Sequence, residues 1–194
     1  VPAPAHPPPR EPAPSALVVD GRYRFGTYDG PIATVNPLDV AGPATSLPAR
    51  GRRALRNVGL KEWEAFQLAD DDWFVLGAVY NANAMGLLQV LVVNKHEATI
   101  HRFERKVPAP VVHVARGLSG TRSHGHAGGF TVTLGNELAG GTLRVDASHP
   151  GRGELPALEL HGTGPGRSAW PRTGASSSST TTTATTPARC ATTG

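Results

Sequence analysis

The chain has 194 residues, a formal net charge of +4 and a sequence pI near 9.7. Its single cysteine, Cys190, excludes an intramolecular disulfide and a cysteine-based zinc site. No run of about 18 apolar residues occurs, so no membrane-spanning helix is expected.

In chain order, residues 1–14 are half proline and carry little to bury. Such a segment favours extended, solvated conformations, so 1–16 is expected to be a disordered arm. The foldable region is 17–162, and a domain of ~150 residues can bury most of its apolar surface. Asp20-Gly21 is a turn signal between two short extended pieces in 17–26. Arg50, Arg52, Arg53 and Arg56 account for much of the basic charge. Without interleaved aromatic residues for stacking, they read as a solvated loop rather than a nucleic-acid surface.

Residues 59–69, GLKEWEAFQLA, fit either a helix or a strand; we read a strand, because they lead through Asp70-Asp71-Asp72 into a strong one. That strand is 72–80, followed by a connection at 81–86, a strand at 87–94, a turn at Asn94-Lys95-His96-Glu97 and a strand at 98–106. Further strands are expected within 109–116, 128–135, 141–148 and 157–162, with clean period-two alternation in FTVTL and TLRVD. Trp63, Phe74, Leu76, Val90 and Val92 are expected to share one core. The class is therefore mostly β: an antiparallel meander forming a partial barrel or a sandwich, with disordered termini. Residues 175–186 hold ten Ser and Thr in twelve positions, so the tail 163–194 is expected to be disordered.

Chemical motifs are mostly missing. His96 and His101 are one residue too far apart for the zinc-protease helix motif. His124 and His126 lie in a glycine-rich stretch read as a mobile loop, with no third ligand fixed by spacing. Neither a metal site nor a cofactor is expected. Glu62 and Glu64 flank Trp63, and a carboxyl facing an apolar interior could act as a general acid. Lys61 and Trp63 are the candidate ligand-binding pair. For each of these four, an ordinary structural role competes with the functional one.

The succession FGTYDGP, VNPLD, GLKEWEAFQLADDDWFVLGAVYNA, HRFER and ALELHG resembles the N-terminal part of the DUF2804 family. The anchor is Leu60, Lys61, Glu62 and Trp63, supported upstream by Asn36, Pro37 and Asp39 and downstream by Trp73 to Tyr80. The resemblance covers about residues 20–162 and implies a lipocalin-like affinity, with tocopherol-cyclase-like and hydroxyneurosporene-synthase-like relatives. It implies a bacterial protein that holds an apolar small molecule, a lipid or isoprenoid, in a β-barrel. The alternatives are an enzyme on such a ligand with Glu62 or Glu64 as acid, and an interaction module using Arg50 to Arg56. It also implies a truncated domain, whose exposed sheet edges favour self-association. A shifted reading of GC-rich DNA would give such a Ser/Thr tail, and a mucin-like glycosylated stalk is the alternative expectation. The expected location is cytoplasmic, the expected partner an apolar small molecule and not a nucleic acid.

Overall fold

In a computed structural model of the chain, the structure describes residues 10–42 and 48–165, together with the backbone of three short strands beyond them. The elements are β1 (Val18–Val19), β2 (Arg22–Tyr23), α1 (Ala49–Gly59), β3 (Lys61–Ala69), β4 (Trp73–Asn81), β5 (Met85–Asn94) and β6 (Thr99–Pro108). There follow β7 (Val112–His113), β8 (Ser119–Ala127), β9 (Phe130–Glu137), β10 (Thr142–His149) and β11 (Leu158–Pro165). The short strands are β12 (Ser168–Ala169), β13 (Ser177–Thr183) and β14 (Arg189–Ala191). The rest of the expected tail, and residues 1–9 of the expected arm, lie outside the described residues.

The mostly-β class is confirmed. One sheet has the order β12-β13-β3-β4-β5-β6 and the other β14-β11-β10-β9-β8-β7. From β3 to β6 and from β7 to β11 each strand pairs antiparallel with the next, so the body is two meanders stacked as a sandwich, not a closed barrel.

Local chemistry sets the turns. Asp20 and Gly21 have φ of 52° and 71°, the left-handed pair of a tight hairpin. Asp70 Oδ1 accepts from the Asp72 and Trp73 amides, turning β3 into β4. Asn94 Oδ1 accepts from the His96 and Glu97 amides before β6. Each is an Asx-type turn, in which a short polar side chain replaces a backbone partner.

Most of the inter-sheet layer is apolar. Phe66 and Leu68 from β3, Val75 and Val79 from β4, Leu88, Val90 and Val92 from β5 and Phe103 from β6 meet Phe130, Val132, Leu134, Leu143, Val145, Leu158 and Leu160. Gly77 stands directly opposite Phe66, and a β-carbon there would collide with the Phe66 ring. A second, smaller cluster joins Leu17, Val18, Ile32 and Val35 to Leu118 and Leu138. Residues 11–16, expected within the arm, instead run beside 28–34, with bridges Glu11–Tyr28 and Ala16–Thr34. Burial of Leu17 next to them holds this segment down.

Three expectations are corrected. Val90 and Val92 are buried, but Trp63 and Phe74 are only partly covered and Leu76 is 40% exposed. They face outward, because β3 and β4 are apolar on both faces and alternation alone does not choose between them. The arginine segment is not a loop but α1. The stretch 119–127 is a strand, β8, and its Gly125 leaves room for Leu88 of the facing sheet.

The reversed phase has a direct test. Leu68→Ala should cost about 2–5 kcal/mol, and Leu76→Ala on the adjoining strand should stay within about 0.5 kcal/mol. Urea denaturation of the two variants measures the difference; equal losses would overturn this assignment of faces.

Candidate functional site

The alternation of β3 points Glu62, Glu64, Phe66 and Leu68 into the layer between the sheets, and Lys61 and Trp63 away from it. The sheet therefore separates the four expected site residues into two pairs. Lys61 is exposed, and Trp63 lies against Tyr80 with ring centroids 6.1 Å apart on the outer face. Glu62 and Glu64 come together with residues that the sequence reading did not name.

Arg116, in the segment between β7 and β8, grips Glu62 with two parallel bonds. Its Nε donates to Oε1 at 3.0 Å and its Nη2 to Oε2 at 3.1 Å. This fork geometry is the strong form of a carboxylate pair. The Glu62 side chain is largely buried, and the Arg116 guanidinium remains half exposed.

Glu64, one step further along the same face, is 2% exposed. Its Oε2 accepts from the Ser123 hydroxyl, and Ser123 Oγ accepts in turn from the Ala115 amide at 2.8 Å. Asn136 of β9 is fully buried nearby. Its carboxamide lies close enough to favour the Glu64 carboxylate, yet Asn136 Nδ2 and Oδ1 and Glu64 Oε1 make no hydrogen bond of good geometry within the protein. Burial pushes the Glu64 carboxyl above its ordinary value. Ser123 and the neighbouring Asn136 carboxamide favour the carboxylate and act against the shift without offsetting it. Of the two candidate acids, Glu64 is thus the one suited to hold a proton, whereas Glu62 is committed to Arg116.

The remaining candidates lie elsewhere. His96 sits in the turn before β6 and contacts Asp72 at 2.7 Å, and His101 lies on β6. His124 and His126 share the outer face of β8, where His113 of β7 stands opposite His124 with ring centroids 5.5 Å apart. Among the described residues, no group of three or more His, Cys, Asp or Glu is placed to hold a metal ion. Two arginines of α1 are used internally. Arg53 Nη1 donates to Asp39, and Arg56 Nη2 donates to the Leu38 carbonyl at 3.1 Å. Bonds from Asn36 and Arg53 hold the Asp39 carboxyl below its usual range.

No protein-family model matches the chain, and no curated protein or solved structure is significantly similar to it.

Ser123 and Asn136 carried a weak sequence signal. Both are polar residues at core positions of strands, Asn136 continuing the inward series Phe130, Val132, Leu134. Arg116 carried none, because its partner lies 54 residues away.

The raised pKa of Glu64 fixes the sign of a pH effect. A carboxyl whose folded pKa exceeds its unfolded value near 4.5 favours the fold most below that value. The contribution is lost as pH rises through the folded pKa. Glu64→Gln removes the titration. Its denaturation midpoint should therefore gain on that of the parent protein as pH rises from about 4.5 toward neutrality. A parent-minus-variant difference that is flat with pH would show that Glu64 ionises freely.

Proposed function

We propose that this chain binds an apolar small molecule, a lipid or isoprenoid, with the ligand's polar end at Glu64 and Asn136. The supporting observation is the buried polar cluster of Glu64, Ser123 and Asn136, in which Glu64 Oε1 and Asn136 Oδ1 and Nδ2 make no well-formed hydrogen bond although the Asn136 carboxamide lies close to the carboxylate. Buried polar groups are nearly always paired, and a binding site of this kind combines apolar walls with a few convergent polar groups. A hydroxyl group suits the set, since it can donate to one of these atoms and accept from another. Phe66, Phe103 and Phe130 belong to the buried apolar core, so the polar end of the ligand is taken to lie at Glu64 rather than among them. The motif order that resembles the DUF2804 family is in keeping with the same reading.

One observation favours a second reading, an enzyme acting on such a ligand. A buried carboxyl with a raised pKa is suited to donate a proton, so Glu64 would be the general acid. Mass spectrometry of farnesol after incubation separates the two readings: a binder returns it unchanged.

Calorimetric titration with farnesol and with 1-decanol tests the proposal. Saturable one-to-one binding is expected, weakened about tenfold in Asn136→Leu and Glu64→Gln, the loss of roughly one buried hydrogen bond. Circular dichroism checks that both variants remain folded. No saturable binding of either alcohol by the folded parent protein, or undiminished binding by both variants, would overturn the proposal.

A further inference from the structure

The arginine helix is inverted relative to an ordinary surface helix. Residues three and four apart share a side, so Ala54, Leu55 and Val58 line one flank of α1 and Arg52, Arg53 and Arg56 the other. The usual arrangement turns the apolar flank to the body and the charges to water. Here Arg53 and Arg56 are bonded to Asp39 and to the Leu38 carbonyl, on the body of the protein. The aliphatic flank faces out: Leu55 is 64% and Val58 73% exposed. The helix is also anchored at its far end, where the Asn83 side chain of the β4–β5 turn donates to the carbonyls of Asn57 and Leu60.

The same 37–39 turn holds a second exposed apolar group. The Tyr23 hydroxyl donates to the Pro37 carbonyl at 3.3 Å. Its ring stacks on Phe25 at a centroid distance of 5.3 Å, and Phe25 is 64% exposed. Arg22, Arg24 and Arg50 border these groups in sequence, Arg24 in a loose 4.0 Å pair with Asp20. Neither α1 nor β2 contains an acidic residue.

We infer that α1, with Tyr23 and Phe25, docks on the surface of an anionic lipid bilayer. The occupant follows from charge and shape together. Exposed aliphatic and aromatic groups enter the headgroup boundary, and bordering arginines meet anionic headgroups. A nucleic acid would leave the exposed aliphatic flank of Leu55 and Val58 without a partner, and Arg53 and Arg56 are already bonded within the protein. The contact lies on the surface, since no helix among the described residues is long and apolar enough to cross a membrane. The contact does not require that any ligand bind at the proposed seat.

Co-sedimentation of the full chain with vesicles tests it. Phosphatidylcholine vesicles with about 30% phosphatidylserine should capture the protein, and pure phosphatidylcholine should capture it much less. Capture should fall as salt rises from about 50 to about 500 mM. Leu55→Asp combined with Val58→Asp alters only exposed positions; it should reduce capture at least about tenfold with an unchanged circular dichroism spectrum. Phe25→Ser should reduce it less. Absence of capture on anionic vesicles, or equal capture of the double variant, would overturn the inference. So would binding to a duplex oligonucleotide that matches the vesicle affinity and is unaffected by the double variant, because the arginines alone would then carry the contact.

Discussion

The constraint on which the structure turns is the phase of β3. A strand has two faces, and a one-residue shift exchanges them. In β3 the inward set is Glu62, Glu64, Phe66 and Leu68, so one half of the strand brings carboxylates into the layer and the other half brings hydrocarbon. The partners of the carboxylates come from far along the chain: Arg116 at a separation of 54 residues and Ser123 at 59. The two sheets are thus joined differently along their length. Where Phe66 and Leu68 lie, they meet through non-directional packing. At Glu62 and Glu64 they meet through directional bonds, which tolerate no sliding of β3 past β8. Breaking either bond leaves a buried charge or acceptor unpaired, a larger loss than the bond's own net contribution.

The same residues show what the sequence could reveal. The strands now numbered β4, β5 and β6 were legible within a residue or two, because β-branched runs end in Asp, Asn and Gly turns whose side chains close the hairpins. The phase of β3 and β4 was not legible. Trp63, Phe74 and Leu76 are as apolar as Phe66, Val75 and Val79, and size invites one to bury the tryptophan first. The decisive mark was small: Gly77, which makes way for the Phe66 ring across the strand pair. It identifies the inward face, since a glycine is needed only where something large approaches. Helix α1 was hidden for a related reason. Its arginines read as solvated when taken together, although the spacing of Leu55 and Val58 is helical. Glycines disguised β8 as a loop, though Gly125 accommodates the packing of Leu88. The site was half legible. Glu62 and Glu64 stand out as acids in a β-rich run, but Arg116, Ser123 and Asn136 acquire meaning only when the sheets stack.

A sheet apolar on both faces is ordinarily covered on both. Across β3 to β6 the outer rows run Trp63, Tyr80, Leu87, Lys106 and Gln67, Leu76, Leu91, Arg102. Between these rows lies a more polar one, Ala65, Ala78, Gln89 and Glu104, and charge stands at Lys61 of β3 and along β6. Such a surface contributes little to the stability of the isolated sandwich, since its residues gain little burial there. It explains why Lys61 and Trp63 stand out in the sequence without joining the carboxylates.

The exposed helix and the buried carboxyl are linked through one short stretch of backbone. The Val35 amide donates to the Arg116 carbonyl at 2.6 Å, and the Asn36 side chain bonds both backbone groups of Val18 and the Asp39 carboxylate. Asp39 holds Arg53 of α1, and Arg116 holds Glu62 of β3. Arg116 is also near enough to Asp39 to favour its ionised form. The surface at Leu55 and Phe25 and the polar cluster at Glu64 therefore belong to the same region of the molecule, with Arg116 between them. A bilayer in contact with α1 would lie nearer the Glu64 end of the sandwich than the Phe66 end. Arg116, bonded to Glu62 and close to Asp39, connects the two features, a role that its sequence position gave no reason to suspect.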